Sequence, residues 1–203
     1  MVLSSTDPLP DAPMDTAVAT PPLTDHRRRL LDAMSHTVAR KGYAETTIAD
    51  LAAHERVSRR TFYEYFSTKA ECLIALYEVA SEQALGVLRA SIDPRRDWHE
   101  QVEQALEAYL STLACNPMLL RTLFIAILGL GPEGLAARRR ANRRLAEFIV
   151  GVVDGLPAPF AMGIVGAINE LILQAIEEDR VEELPKLTPA AARLARAVID
   201  GAS

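Results

Sequence analysis

One stretch constrains this chain more than any other: residues 46–69, TTIADLAAHERVSRRTFYEYFSTK. Its spacing predicts two short helices joined by a tight turn, then the start of a third. Thr46 or Thr47 caps the first helix, because a short hydroxyl side chain satisfies the free N–H groups of a helix start. Ile48, Leu51 and Ala52 follow at i, i+3 and i+4 and give one apolar face. The turn falls at 54–57. Ser58 caps the next helix, 58–66, and Val57 and Phe62 have the spacing of a hydrophobic staple.

The second helix carries the functional argument. At about 100° per residue, Phe62 and Phe66 share one arc, while Arg60, Thr61, Tyr63, Glu64 and Tyr65 spread over the other. Two phenylalanines pin such a helix to a core. The outward set suits a DNA major groove, where Arg reaches guanine edges and Tyr and Thr hydroxyls bond phosphates. Arg59 lies nearer the buried arc, with a side chain long enough to swing to a DNA backbone. The competing reading is a solvated helix in a small bundle.

The run Gly42-Tyr43-Ala44-Glu45-Thr46-Thr47-Ile48-Ala49-Asp50-Leu51-Ala52, with Val57-Ser58, Thr61-Phe62-Tyr63 and Phe66-Ser67-Thr68-Lys69, resembles the N-terminal domain of the TetR family of transcriptional regulators. The similarity is dense over residues 26–80 and weak beyond. It implies a helix-turn-helix DNA-binding domain, a ligand-responsive action and a palindromic operator bound by a homodimer. A repressor is the reading taken; an activator or corepressor-dependent regulator is the alternative. By the same resemblance Lys69 clasps a phosphate beside the recognition helix; Thr47 and Tyr63 are expected to complete that clamp. Two positions depart from the family pattern. Arg56 stands in the turn where glycine is usual, and Tyr65 stands where histidine is common. An arginine forced to positive φ costs about 1 kcal/mol relative to glycine.

Charge is distributed to match. The chain carries a net −5, but residues 26–69 hold nine Lys/Arg against five Asp/Glu, while the first 25 hold four Asp and no base. A basic module beside an acidic remainder is the footprint of a domain that meets phosphates. Residues 1–23 carry five prolines and no helical period and read as a disordered acidic tail. A first helix over 25–41 stops at Gly42. It opens on His26-Arg27-Arg28-Arg29, cations that oppose the helix dipole, so Arg27 and Arg28 are candidates for DNA contact.

The rest reads as all-α. A connecting helix spans 70–92, with Thr68 and Glu71 at capping-box spacing. Five more helices follow over 93–203, at 98–114, 117–128, 133–153, 159–179 and 188–199. The 117–128 segment is apolar on nearly all sides and is expected to be central. Along 133–153, Arg138, Arg139, Arg140, Arg143 and Arg144 oppose Leu135, Leu145, Phe148, Ile149 and Val152. This pattern fits a solvated face or interhelical ion pairs better than a second nucleic-acid patch.

The resemblance implies a small-molecule pocket in this larger domain. Met118, Leu120, Phe124 and Leu128 are its wall candidates, with Trp98, Tyr109, Met162 and Asn169. Arg121 is available to an anionic effector or to a salt bridge with Glu170. For the homodimer interface, Gly163, Gly166 and Ala167 let helices approach closely, and Ala191, Leu194, Ala195 and Val198 follow i, i+3, i+4, i+7 on the last helix.

Several classes find no support. The two cysteines, Cys72 and Cys115, share no metal-ligand spacing with the four histidines, so neither a metal nor another cofactor is indicated. A reduced, cytoplasmic compartment is the simpler reading. Residues 148–168 look membrane-like, but Asp154, Pro157 and Pro159 interrupt them. No phosphate-binding glycine loop or nucleophile elbow suggests an enzyme. From another class, a helical small-molecule-binding or scaffold protein stays open.

Overall fold

Local signals set most helix ends. The structure, a computed structural model, describes residues 23–93 and 95–202, so the acidic tail lies outside the described residues. Helix α1 (Leu23–Glu45) is broken at Gly42, whose φ of 78° only glycine adopts freely. Helix α2 (Ile48–His54) starts on a capping box: the Thr47 hydroxyl accepts from the Asp50 N–H, and the Asp50 carboxylate accepts from the Thr47 N–H. Helix α3 (Arg59–Tyr65) starts on Ser58, and α4 (Lys69–Ser91) starts on Thr68. The long helices α5 (Trp98–Ala114), α7 (Pro132–Val152), α8 (Ala158–Glu177) and α9 (Thr188–Ala202) follow, with the short α6 (Pro117–Arg121) after α5. No strand occurs among the described residues.

The turn between α2 and α3 closes in a Schellman geometry. The Val57 N–H donates to the Ala52 carbonyl at 2.9 Å and the Arg56 N–H to Ala53 at 3.2 Å. This places Arg56 at φ 53°, the conformation glycine favours. Arg56→Gly is therefore expected to raise stability by about 1 kcal/mol, read as a higher urea midpoint at unchanged m-value. An unchanged midpoint would mean that Arg56 recovers its backbone strain through a contact of its own.

Two cores result. The first gathers α1 to α4 around fully buried Leu30, Met34, Leu51, Phe62 and Leu73. Val57 packs against this core, in which Phe62 is buried. Leu123, Ile127, Ala137 and Ala141 from later in the chain join it. The second core packs α5, α8 and α9 around Leu110, Ile172, Ile176 and Leu184. Cys72 sits inside the first core, and burial pushes its thiol up to about 12. Cys115 is exposed. A thiol reagent at pH 8 should then label one cysteine in the native protein and two in denaturant, since the thiolate is the reactive form. Two labels without denaturant would show that the first core opens readily.

The segment 117–128 corrects the expectation of one buried helix. After α6 the chain winds as a π turn over Thr122–Ala126 and then a 3-10 turn over Leu128–Leu130. Leu120, Leu123 and Ile127 are buried, but Met118 and Ile125 are half exposed. A segment apolar on nearly all sides leaves some of those side chains to solvent wherever it packs by only one face. Arg121 pairs with Asp179 at 2.5 Å rather than with Glu170. Asp179 follows α8 at φ 57° in a second Schellman turn, with the Arg180 N–H donating to Ala175 at 2.8 Å. Of the apolar stripe on α7, Leu135 and Val152 are exposed. Two of its arginines pair with α4: Arg140 meets Glu78 at 2.7 Å and Arg144 meets Glu82 at 3.8 Å. Helix α8 is long and apolar enough to cross a bilayer, but eight of its residues are buried inside the protein.

Candidate nucleic-acid interface

The candidate reading head is α3, and its orientation follows from its anchors. Phe62 is fully buried and Phe66 nearly so, with ring centroids 5.7 Å apart. That leaves Arg59, Arg60, Tyr63 and Glu64 exposed together. Arg60 is the freest of them, with 91% of its side chain exposed, and its Nε stands 3.5 Å from a Glu64 carboxylate oxygen. Tyr63 is 57% exposed and leans edge-on against Phe62. Ser58 and Thr61 flank the helix start with their hydroxyls 2.9 Å apart, and Ser58 also accepts from the Thr61 N–H.

Tyr65 corrects the sequence expectation. It lies three residues after Phe62, which on a helix returns it to within about 60° of the buried arc. Its hydroxyl is buried with no hydrogen-bond partner, and its ring faces His26 of α1 at 6.5 Å. Tyr65 therefore supports α3 from behind and does not face outward.

Lys69 also turns inward. Its ammonium donates to the carbonyls of Tyr43 at 2.8 Å and Thr46 at 2.7 Å, and lies 4.2 Å from the Tyr43 ring centre. Carbonyls at a helix end carry the negative pole of its dipole, so a cation is favoured there. Burial pushes this ammonium's pKa down, while Glu45 and Asp50 oppose the shift. Thr47 is exposed, but its hydroxyl already bonds the Asp50 carboxylate at 2.6 Å. Lys41 holds the same carboxylate at 2.7 Å, and with Thr47 keeps it well below the usual range.

The basic start of α1 divides by role. Arg27 is exposed and reaches over the Phe66 ring at 5.6 Å. Arg28 pairs with Asp25 at 2.7 Å and with Asp32 at 3.4 Å. Arg29 is a strut: it bonds the Glu55 carboxylate at 2.8 Å and the Glu55 carbonyl at 2.9 Å, tying α1 to the end of α2.

A cavity of about 100 Å³ lies in the larger half of the chain. Of the sequence candidates it takes Trp98, Tyr109 and Asn169. Its other walls come from the end of α4, from α5 and from α7, α8 and α9, among them Leu88, Leu106, Leu145, Phe148, Ile149 and Ile168. Met118, Leu120, Arg121, Phe124, Leu128 and Met162 do not line it. Leu120 is packed in the core, while Met118 and Met162 face solvent. The apolar stripe of α7 at 145, 148, 149 and 152 was the available signal for these walls.

Among the dimer candidates, Gly163 and Gly166 are exposed and Ala167 is partly so. Ala191 and Ala195 are buried within the protomer, which corrects their assignment. Leu194 and Val198 are partly exposed, and Ala190 and Ala197 are the exposed small residues of α9.

Residues 30–76 match the profile of bacterial regulatory proteins, tetR family. Over 128 residues the chain is 23% identical to the fatty acid metabolism regulator protein of Bacillus subtilis (strain 168), covering 63% of this chain and 64% of that relative. It thus spans less than two thirds of that curated relative's length. Among solved structures, the fatty acid degradation regulator FadR from Bacillus halodurans superposes with a TM-score of 0.70 at 18% identity, over 83% of this chain and 93% of that one. FadR from Bacillus subtilis in complex with stearoyl-CoA superposes at 0.67 and 20% identity, over 83% and 96%. These likenesses carry the fold through both halves of the molecule, and the profile match carries the helix-turn-helix head. The N-terminal segment, residues 30–76, thus matches the tetR family of bacterial regulatory proteins, and the fold of the whole chain resembles that of the FadR structures.

Proposed function

We propose that this chain is a ligand-responsive transcriptional regulator, a repressor that occupies a palindromic operator as a homodimer. The observation that carries the reading is α3: two phenylalanines hold it down while Arg59, Arg60 and Tyr63 stand out together. Residues 24–69 serve as the DNA-binding unit, 70–92 connect, and 93–203 bind effector and partner. Arg60 and Arg59 read or grip the major groove, Tyr63 and Thr47 meet phosphates, and Arg27 and Arg28 lie against the flanking backbone. The protein acts in the cytoplasm. A shift assay on genomic fragments tests this: one or few loci should shift specifically, whereas equal, salt-sensitive binding to every fragment would favour a scaffold without an operator.

Glu64 tempers this surface. Arg60 already engages its carboxylate, which places an acid beside the polyanion without a base to read. Glu64→Ala is expected to bind all DNA more tightly with base preferences intact. If it instead loses roughly 1–3 kcal/mol on the operator and relaxes one base pair per half-site, Glu64 reads a base directly.

The effector is a slender apolar molecule. The cavity is walled almost wholly by hydrocarbon and is smaller than the engineered cavity of roughly 150 Å³ that holds benzene. A single chain suits it better than a fused ring system. The stearoyl-CoA bound to the Bacillus subtilis FadR structure supports the same choice.

A further inference from the structure

The apolar cavity has a charged neighbour. Phe148 and Val152 of α7 line the cavity, and the same two side chains form the floor of a surface groove flanked by Arg89 of α4 and Arg144 of α7. Glu147 also lines the groove, and both arginines pair with the carboxylate of Glu82. Arg89 holds it at 2.8 Å and Arg144 at 3.8 Å. All three side chains are about half exposed, so solvent and solutes reach them.

We infer that Arg89 and Arg144 form a clamp for the anionic end of the effector, and that Glu82 is a built-in stand-in which that end displaces. The inference rests on the apolar-cavity reading above and adds the chemistry of the other end: one terminal carboxylate or phosphate on the chain. Guanidinium groups favour such anions through charge-assisted, often paired hydrogen bonds. The shared residues Phe148 and Val152 set the route, because a chain passing between them leads from the hydrocarbon interior to the two arginines. Displacement has a mechanical side. Glu82 lies on α4, the helix that continues from the DNA-binding head, and its contact with Arg144 ties α4 to α7. An anion that takes Arg144 unties this point and leaves only Glu78–Arg140 joining the two helices through charge among the ion pairs described. A ligand shifts the equilibrium by its difference in affinity for the two arrangements, and here that difference lies in the competition with Glu82.

The test is calorimetric, on the full chain, with octanoate, octyl phosphate and 1-octanol at pH 7.5. Wild type should bind at least one of the two anions about tenfold more tightly than the alcohol. Arg144→Gln and Arg89→Gln should abolish that preference while binding of 1-octanol stays unchanged. Glu82→Gln should do the opposite and tighten the anions alone, a sign that a folding defect cannot mimic. Preference for octanoate alone assigns the head as a carboxylate, and for octyl phosphate alone as a phosphate ester. Equal affinity for acid, phosphate and alcohol, or a preference that survives the arginine substitutions, overturns the clamp and leaves the apolar cavity standing. No binding of any of the three overturns the cavity reading and the clamp with it.

Discussion

Gly134→Ala is expected to destabilise the protein by about 3 kcal/mol or more, although it adds one methyl group. Gly134 sits in the first turn of α7 and is buried. A Cβ built there would stand 1.8 Å from the carbonyl oxygen of Ile127 and 3.0 Å from Leu130 Cβ. Backbone meets backbone at this point, so no rotamer change relieves the clash. Ile127 is 1% exposed and belongs to the core of the DNA-binding half, so α7 or that core must move. Urea denaturation measures the effect through the midpoint. A loss under 1 kcal/mol would mean that the turn over 122–130 yields easily.

Gly166→Arg is expected to leave the fold intact, convert the dimer to a monomer and abolish operator binding. A Cβ at Gly166 meets nothing within 4 Å of its own protomer, and the same holds at Gly163. The large side chain therefore costs the protomer little and is felt only by a second copy packed on α8. Phe160, near the start of the same helix, is 44% exposed. Loss of the pairing removes the second reading head, and half-sites roughly 34–36 Å apart then bind only singly. Sizing light scattering at micromolar concentration, beside a shift assay, checks both parts. A wild-type monomer, or a dimeric Gly166→Arg, would move the interface elsewhere.

The features legible in the sequence are those fixed by near neighbours. Thr47, Ser58 and Thr68 cap helices because their hydroxyls need only reach three residues along the chain. The strained turn at Arg56 was visible for the same reason. Tyr65 sits at the edge of the α3 arc, about 60° from Phe62, where angle alone does not separate the core side from the groove side. Lys69 was not legible as a strut, since its carbonyl partners lie 23 to 26 residues away. The cavity walls come from helices more than a hundred residues apart in places, and periodicity cannot tell a cavity face from a packed one. Arg121 illustrates the limit. Its place in an apolar run leaves an anionic effector or a salt bridge open, and Asp179 is the partner because a Schellman turn brings that residue back, which a helix reading through residue 179 hides.

The π turn at Thr122–Ala126 has a consequence for length. Such a turn accommodates one residue beyond what an α-helix would use over the same rise. Removing one residue there should let the segment wind as ordinary helix over the same rise, with Ile127 and the elements after it keeping their places. This stretch therefore tolerates a one-residue deletion that, in a regular α-helix, would turn the downstream face by about 100°.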